Sequence, residues 1–301
     1  MTSEERKREG RDLSQSAILR DRFTSHEIFE RVIVDADEEI SRSFRELFFS
    51  GLAAGFAITL TVLLYASMTH ASGGIPVVGA LLYPIGFVYI ILGNYQLYTE
   101  NTLPPVALVI ERMASVPAML GMWGVVLLGN VVGGALGATA LAYGGVFSPG
   151  AAQTALELGM AGVETDQISL FFKAAFAGLI VAGVVWLDFS VTDATARFIL
   201  VYMAFLAIPL GNLYHVVVAS TEVVYLVLVG QIGLMYGAYH FALPVLLGNT
   251  FGGVLLVTIV NYFQTPTYIQ EDPSRRLGLG EWLFTWNTGR DKEELEQMLA
   301  D

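Results

Sequence analysis

Charge leaves the chain for long stretches and returns near its ends. Leu47 to Thr99 holds no Asp, Glu, Lys or Arg, and Met113 to Leu156 holds none either. Val223 to Gln270 carries only His240. A membrane-spanning helix needs ~20 predominantly apolar residues. The first run is long enough for two such helices, broken near Gly73-Gly74-Ile75-Pro76. The pattern predicts six spans, at 47–70, 76–98, 115–143, 168–188, 197–218 and 239–264. Spans two and five continue into short extra segments at 102–111 and 220–235. Before the first span, "HEIFERVIVDADEEISRSFREL" places apolar residues at helical spacing and predicts an amphipathic helix.

Composition agrees with an all-α polytopic membrane protein: 54% of the 301 residues are hydrophobic. The distribution of Lys and Arg sets the expected orientation. Nine of the sixteen fall in residues 1–46 and four after residue 270, while the loops 71–75, 144–167 and 236–240 carry none. Both termini are therefore expected in the cytoplasm, as six spans require, in a multi-pass protein of the cell membrane. The expected organisation is a cytoplasmic segment 1–46, a transmembrane domain 47–265 and a cytoplasmic tail 266–301. The first 46 residues are too charged for a cleavable signal peptide. There is no cysteine, so disulfide and thiol chemistry are excluded. The net charge of −12 rests on only three lysines, a composition that suits a salt-rich cytoplasm.

Two stretches repeat. "VLLGNVVGGAL" (126–136) and "VLLGNTFGGVL" (245–255) match at eight of eleven positions, 119 residues apart. Upstream, Thr99-Glu100 and Thr221-Glu222 form a second matching pair, 122 residues apart. Each repeat holds three helices, an odd number, so the second copy enters the membrane inverted. Inverted repeats with interrupted helices point to a transport site at the repeat interface. The glycines at four-residue spacing allow close helix approach and are assigned no chemistry.

The interruptions carry the polar groups. Asn94, Gln96, Thr99, Glu100, Asn101 and Thr102 cluster inside span two, followed by Pro104-Pro105. Proline fits the first turn of a new half-helix. Pro209, Gly211 and Asn212 break span five, beside Tyr214, His215, Ser220, Thr221 and Glu222; "VVYLVLVG" then resumes the helix. Half-helix N-termini direct free N–H groups and a positive dipole end inward, which suits an anion. Glu100 and Glu222 have two readings: caps on those N-termini, which is the favoured one, or carboxylates facing a pore. His215 is expected to be functional, since ionisable groups within spans seldom lack a role. Lys173, two turns from the outer end of span four, either snorkels outward or attracts anions. His70 and His240 lie near span ends and suit the interface.

These residues resemble the formate/nitrite transporter family, and most closely its YfdC-like branch, over roughly residues 45 to 265. "LYTENT" resembles the family's span-two loop, with Leu97, Tyr98 and Thr99 in its Leu-Phe-Thr places. "IPLGNLYHVVV" resembles the span-five loop and puts His215 in the place of its central histidine. "FFKAAFAG" matches the family's lysine at Lys173. By the same resemblance Tyr83 and Phe87 fall at an apolar constriction, and Ile208 and Leu97 at slit-lining positions. The chain departs from the pattern at Gly178, where many members have asparagine, and at Tyr214, where the family has glutamate. Glu100 and Glu222 are additions relative to the formate-conducting members. The resemblance implies an aquaporin-like protomer with its own pore, assembled as a homopentamer.

The expected function is a channel or proton-coupled transporter for small monovalent weak-acid anions such as formate or nitrite, protonated at or near His215. The alternative is a pore for ammonium or small neutral solutes, motivated by Glu100 and Glu222. Expected partners are the anion, protons, the lipid bilayer and further copies of the chain. No enzyme, cofactor, metal or nucleic-acid role is expected: no ligand spacing, nucleophile elbow or phosphate loop occurs.

Overall fold

The computed structural model describes residues 23–265 and 276–288. The expectations for residues 1–22, 266–275 and 289–301 lie outside the described residues. The described chain is all-helical. Four helices are long and apolar enough to cross a bilayer alone: α2 (Phe44–Ala71), α5 (Val116–Tyr143), α7 (Gln167–Asp188) and α10 (Leu234–Gln264). The two remaining spans are each built from two shorter pieces. Span two is a turn at Pro76–Ala80 leading into α3 (Ile85–Leu92), then α4 (Pro104–Ile110). Span five is α8 (Ala194–Leu210) followed by α9 (Val216–Leu228). The chain is thus a multi-pass membrane protein of two three-span halves.

Local sequence explains the boundaries. The amphipathic α1 (Ser25–Ile40) starts in a capping box, with Thr24 N–H on Glu27 Oε2 at 2.7 Å and Glu27 N–H on Thr24 Oγ1 at 3.2 Å. The first span opens the same way at Ser43 and Glu46, three residues before the expected start at 47. α10 begins at Leu234 rather than 239, and it winds wider, with i→i+5 bonds, over Ala238–Ala242 and Gly252–Ile259.

One helix was not anticipated. α6 (Pro149–Val163) fills the segment 144–167 that the charge pattern treats as a loop. Its cues are Ser148, whose Oγ accepts from Ala151 N–H at 3.2 Å, and Pro149 in the first turn. It buries a stripe of small residues, Ala151, Ala155, Gly159 and Gly162. A second addition lies at the other face. Part of the tail folds back as α11 (Leu279–Phe284): Leu277 N–H donates to Arg112 O at 2.9 Å and Trp282 Nε1–H to Val109 O at 2.8 Å.

The two halves pack by one rule. α5 lies along α2, and α10 along α7, with glycine at the crossing. A Cβ at Gly133 would overlap the Leu52 carbonyl oxygen, and one at Gly252 would overlap that of Ala175. The packing role of the glycine stripes is that of small residues admitting a neighbouring backbone.

Candidate functional site

Each interrupted helix ends in the same way. α3 stops at Gly93 and α8 at Gly211, and the next residues, Asn94 and Asn212, take positive φ of 54° and 51°. Asparagine tolerates this left-handed region better than other side chains. The dipeptides lie 118 residues apart, in a shared Leu-Gly-Asn. The chain then crosses as Tyr95-Gln96-Leu97-Tyr98 in one half and Leu213-Tyr214-His215-Val216 in the other.

Buried amides pin these crossings. Asn130 Oδ1 accepts from Tyr98 N–H at 2.9 Å, while its Nδ2 donates to Gly51 O at 2.8 Å and Gln96 O at 2.9 Å. Asn249 Oδ1 accepts from Val216 N–H at 2.8 Å, while its Nδ2 donates to Ala174 O at 2.8 Å and Tyr214 O at 3.0 Å. Both are fully buried. They are the asparagines of the shared Gly-Asn-x-x-Gly-Gly. Irregular backbone at membrane depth needs such internal partners, because lipid offers none. The apolar pattern alone gives these asparagines no role; the signal that marks them is an amide repeated in two apolar helices.

The two crossings meet at the centre. His215 and Thr99 are each 1% exposed, and His215 Nε2 lies 2.8 Å from Thr99 Oγ1. His215 Nδ1 accepts from Val217 N–H at 3.3 Å, so the histidine itself caps α9. With Nδ1 an acceptor, the proton of the neutral ring sits on Nε2 and is donated to Thr99. Phe87 sets its edge against the His215 ring at 4.9 Å and stacks on Phe205 at 3.9 Å. Tyr83 stacks on Phe87 at 5.6 Å. Leu97 and Ile208 are fully buried. Phe205 was missed; its cue is Val201, Phe205 and Ile208 on one buried face of α8.

A cavity lies on each side of this apolar plug. Below α1 is one of about 400 Å³, lined by Asp35, Glu39, Glu100, Asn101, Asp188 and Arg197, among others. Asp188 pairs with Arg197 at 2.5 Å. Glu39 accepts from Gln96 Nε2 at 2.6 Å, and Gln96 Oε1 accepts from Asn101 Nδ2 at 2.8 Å, tying α1 to the span-two crossing. Burial, and then the Asp35 carboxylate, push Glu39 up to about 7. The opposite cavity, about 100 Å³ beneath α6, is lined by Tyr65, Tyr83, Asn212, Tyr214, His215 and Glu222, among others.

Two expectations about the carboxylates are corrected. Neither caps a half-helix. α4 begins at Pro104 with no side-chain cap, and Glu100 lies in a preceding 3₁₀ turn, its Oε1 buried without a partner among the described residues. α9 begins at Val216, not at 223, so Glu222 sits two turns inside it. Nor do the two glutamates occupy matching places. A Cβ at Gly134 would overlap Thr221 Oγ1 at 2.5 Å, and one at Gly253 would overlap Thr102 Oγ1. Thr102 and Thr221 are 119 residues apart, the spacing of the glycine-asparagine repeat. Thr221 therefore matches Thr102, and Glu100 and Glu222 each stand alone.

Lys173 Nζ lies 5.6 Å from the centre of the Tyr214 ring, one residue before His215, and lines neither cavity. Tyr98 also lines neither; its hydroxyl meets Thr250 Oγ1 at 2.8 Å and its ring meets Trp123 edge-on at 5.6 Å.

The sequence profile of formate/nitrite transporters matches residues 26–263. The chain belongs to the formate/nitrite transporter family. It is 31% identical over 244 residues to the inner membrane protein YfdC of Escherichia coli, spanning 79% of this chain and 77% of that protein. It is 26% identical over 249 residues to the formate channel FocA of Haemophilus influenzae, spanning 73% and 87%. Among solved structures, an FNT family ion channel superposes with a TM-score of 0.69 at 21% identity, over 79% of this chain and 99% of that one. A pentameric formate channel with formate bound superposes at 0.65 and 16% identity, over 73% and 97%. Members of the formate/nitrite transporter family are transporters and channels rather than enzymes, and the aquaporin-like arrangement of interrupted helices is the family's fold.

Proposed function

We propose that this protein carries small monovalent weak-acid anions, such as formate or nitrite, across the cell membrane, neutralising each with a proton at the Thr99–His215 pair. The observation that carries the reading is the 2.8 Å contact of that pair at the meeting point of the two interrupted helices, between two cavities. An anion entering the ring of Phe87, Phe205, Leu97 and Ile208 loses hydration at a cost of several kcal/mol. A neutral acid crosses that ring far more easily. Lys173, held over Tyr214, adds a positive field near the α6-side cavity. Tyr83 and Phe87 form the apolar step next to His215; Tyr98 acts through Trp123 and Thr250 to hold the crossing in place.

The protein works as a homopentamer in the bilayer, by analogy with the pentameric channel of the same fold. The termini and α1 lie in the cytoplasm, so the larger cavity is the cytoplasmic mouth and the smaller one the external mouth. Helices α1 and α11 pack on the cytoplasmic face of the six-span domain.

A second reading is passage of ammonium. Glu100 and Glu222, one in each cavity, favour it. The deciding experiment is uptake by purified protein in proteoliposomes, comparing formate, nitrite, hydrosulfide, acetate and lactate with ammonium and glycerol. Uptake of at least one weak-acid anion, faster at acidic pH and with its proton, is expected. Ammonium uptake with no anion uptake overturns the anion reading.

A further inference from the structure

We propose that Glu222 is the proton-exchanging group of the external mouth: it gives its carboxyl proton to the incoming anion and regains one from external water. The inference rests on the anion reading above and names the source of its proton for entry from outside: the transfer takes place in the cavity that His215 also lines, beside the Thr99–His215 pair. In the step, the O–H bond of the Glu222 carboxyl breaks and the O–H bond of the weak acid forms. The product is the neutral acid and a carboxylate, which hydronium from the external solution then reprotonates.

Placement carries the proposal. From the cap His215 into α9, His215, Val218, Ala219 and Glu222 follow the spacing i, i+3, i+4 and i+7, and all four line the same cavity. Glu222 therefore stands two turns above His215 on the face that an anion descends. The cavity is small, about 100 Å³, and α6 closes over it with Leu158 and Ala161. An ionised carboxylate there repels every anion that arrives, whereas the protonated form is a neutral hydrogen-bond donor. An anion pathway can keep a carboxyl in this place only if it carries a proton when the anion passes.

The surroundings leave Glu222 free to exchange. No Lys or Arg lines the cavity, and Glu222 has no ion pair and no side-chain hydrogen bond among the described residues. The other titratable groups that line it are Tyr65 from α2, Tyr83, Tyr214 and His215. The phenols ordinarily titrate near ~10, too high to supply protons near neutrality. His215 has both ring nitrogens engaged, Nδ1 by Val217 N–H and Nε2 by Thr99. From the remaining neighbours, Tyr143 of α5 donates to Leu228 O, and Glu157 of α6 is exposed and bonded to Gln153. His240 of α10 packs on Tyr236, and Lys173 lies over the Tyr214 ring. Glu222 is the one acid that both lines the cavity and has nothing else to do.

The test uses the full chain in proteoliposomes loaded with a pH-sensitive dye, comparing the parent with Glu222→Gln and Glu222→Asp. Initial uptake of labelled formate and the accompanying proton entry are followed while external pH is varied about neutrality at fixed internal pH. Parent uptake should rise as external pH falls. The Gln variant, assembled as the parent is, should lose about a hundred-fold of its uptake, the scale of general-acid assistance, and the residue should not respond to external pH. The Asp variant, which keeps a carboxyl, should retain the slope of the profile at a lower rate. A Gln variant with the parent's rate and slope, or with faster uptake, overturns the role of Glu222 while leaving anion transport standing. An Asp variant as flat as Gln overturns it also. A parent that moves no weak-acid anion overturns the anion reading and the proposal together.

Discussion

Asn130 and Asn249, 119 residues apart in sequence, each hold one interrupted helix with three hydrogen bonds of 2.8–3.0 Å to equivalent backbone groups. The inverted repeat is therefore a repeat of hydrogen bonding as well as of shape. Alanine at either position leaves one N–H (Tyr98 or Val216) and one loop carbonyl (Gln96 or Tyr214) unpaired at membrane depth, since the Gly51 and Ala174 carbonyls keep their intrahelical bonds. At about 1–3 kcal/mol for each unsatisfied group, the loss is about 2 kcal/mol or more. Thermal unfolding of the detergent-solubilised protein should show a large drop for both variants, of similar size. Full stability in either would mean that the crossings hold without the amide.

The Thr99–His215 contact makes a second prediction. Thr99→Val removes the acceptor and leaves the His215 Nε2–H buried without a partner. His215→Phe removes the ring's proton altogether. Formate uptake should fall in both while the oligomer stays intact, because the proton is transferred beside this pair. Undiminished uptake by His215→Phe would remove His215 from the proton step.

The spans, the inversion and the central histidine were legible because each rests on a strong local signal: long uncharged runs, an odd number of helices per repeat, and a lone titratable group in an apolar segment. The register of the repeat was not. Thr99-Glu100 and Thr221-Glu222 are the same dipeptide, and that likeness outweighed the 119-residue spacing of Gly-Asn-x-x-Gly-Gly. The start of α9 was misplaced for a related reason. Ser220, Thr221 and Glu222 look like a break, but Thr221 Oγ1 donates to Val217 O at 2.8 Å, which hides its hydroxyl within the helix. Glu222 faces a cavity, which no periodicity reveals. The Glu39–Gln96 bond joins residues 57 apart and had no sequence signature.

That bond predicts a pH effect outside the membrane. Glu39 is pushed up to about 7 from its ordinary 4.5. Between those values the folded state binds the proton more tightly than the unfolded one, so docking of α1 is favoured at the acidic end. It weakens as pH rises toward 7 and changes little beyond. Backbone hydrogen exchange over residues 25–40 should be slower at acidic pH than above neutrality. Glu39→Gln should keep the bond to Gln96 and remove the difference. Exchange rates corrected for intrinsic pH dependence that do not change in the parent would contradict the assignment.

Orientation is open to a direct check, since the chain has no cysteine of its own. Single cysteines at Ser41, after α1, and at Ser148, before α6, fall on opposite faces of the membrane. In sealed cells an impermeant maleimide should label 148 and spare 41. Labelling at 41 alone would invert the topology and exchange the two mouths.

Glu100 and Glu222 lie on opposite sides of the plug and match different positions in the repeat, so their substitutions should separate. Glu100 Oε1 is buried in the cavity below α1 without a partner among the described residues, beside Asp35, Glu39 and an Asp188 already paired with Arg197. Under the anion reading, Glu100→Gln leaves the proton exchange at Glu222 untouched, so formate uptake should keep the parent's response to external pH, whereas Glu222→Gln should lose it. Under the ammonium reading the same substitution removes a cation site, and ammonium uptake should fall in both Glu100→Gln and Glu222→Gln. Measuring formate and ammonium on both variants therefore decides two things at once. Parallel loss of ammonium uptake, with no formate flux in any variant, selects the cation pore; loss of the external-pH response of formate uptake confined to Glu222→Gln selects the anion pathway and gives each carboxylate its own side.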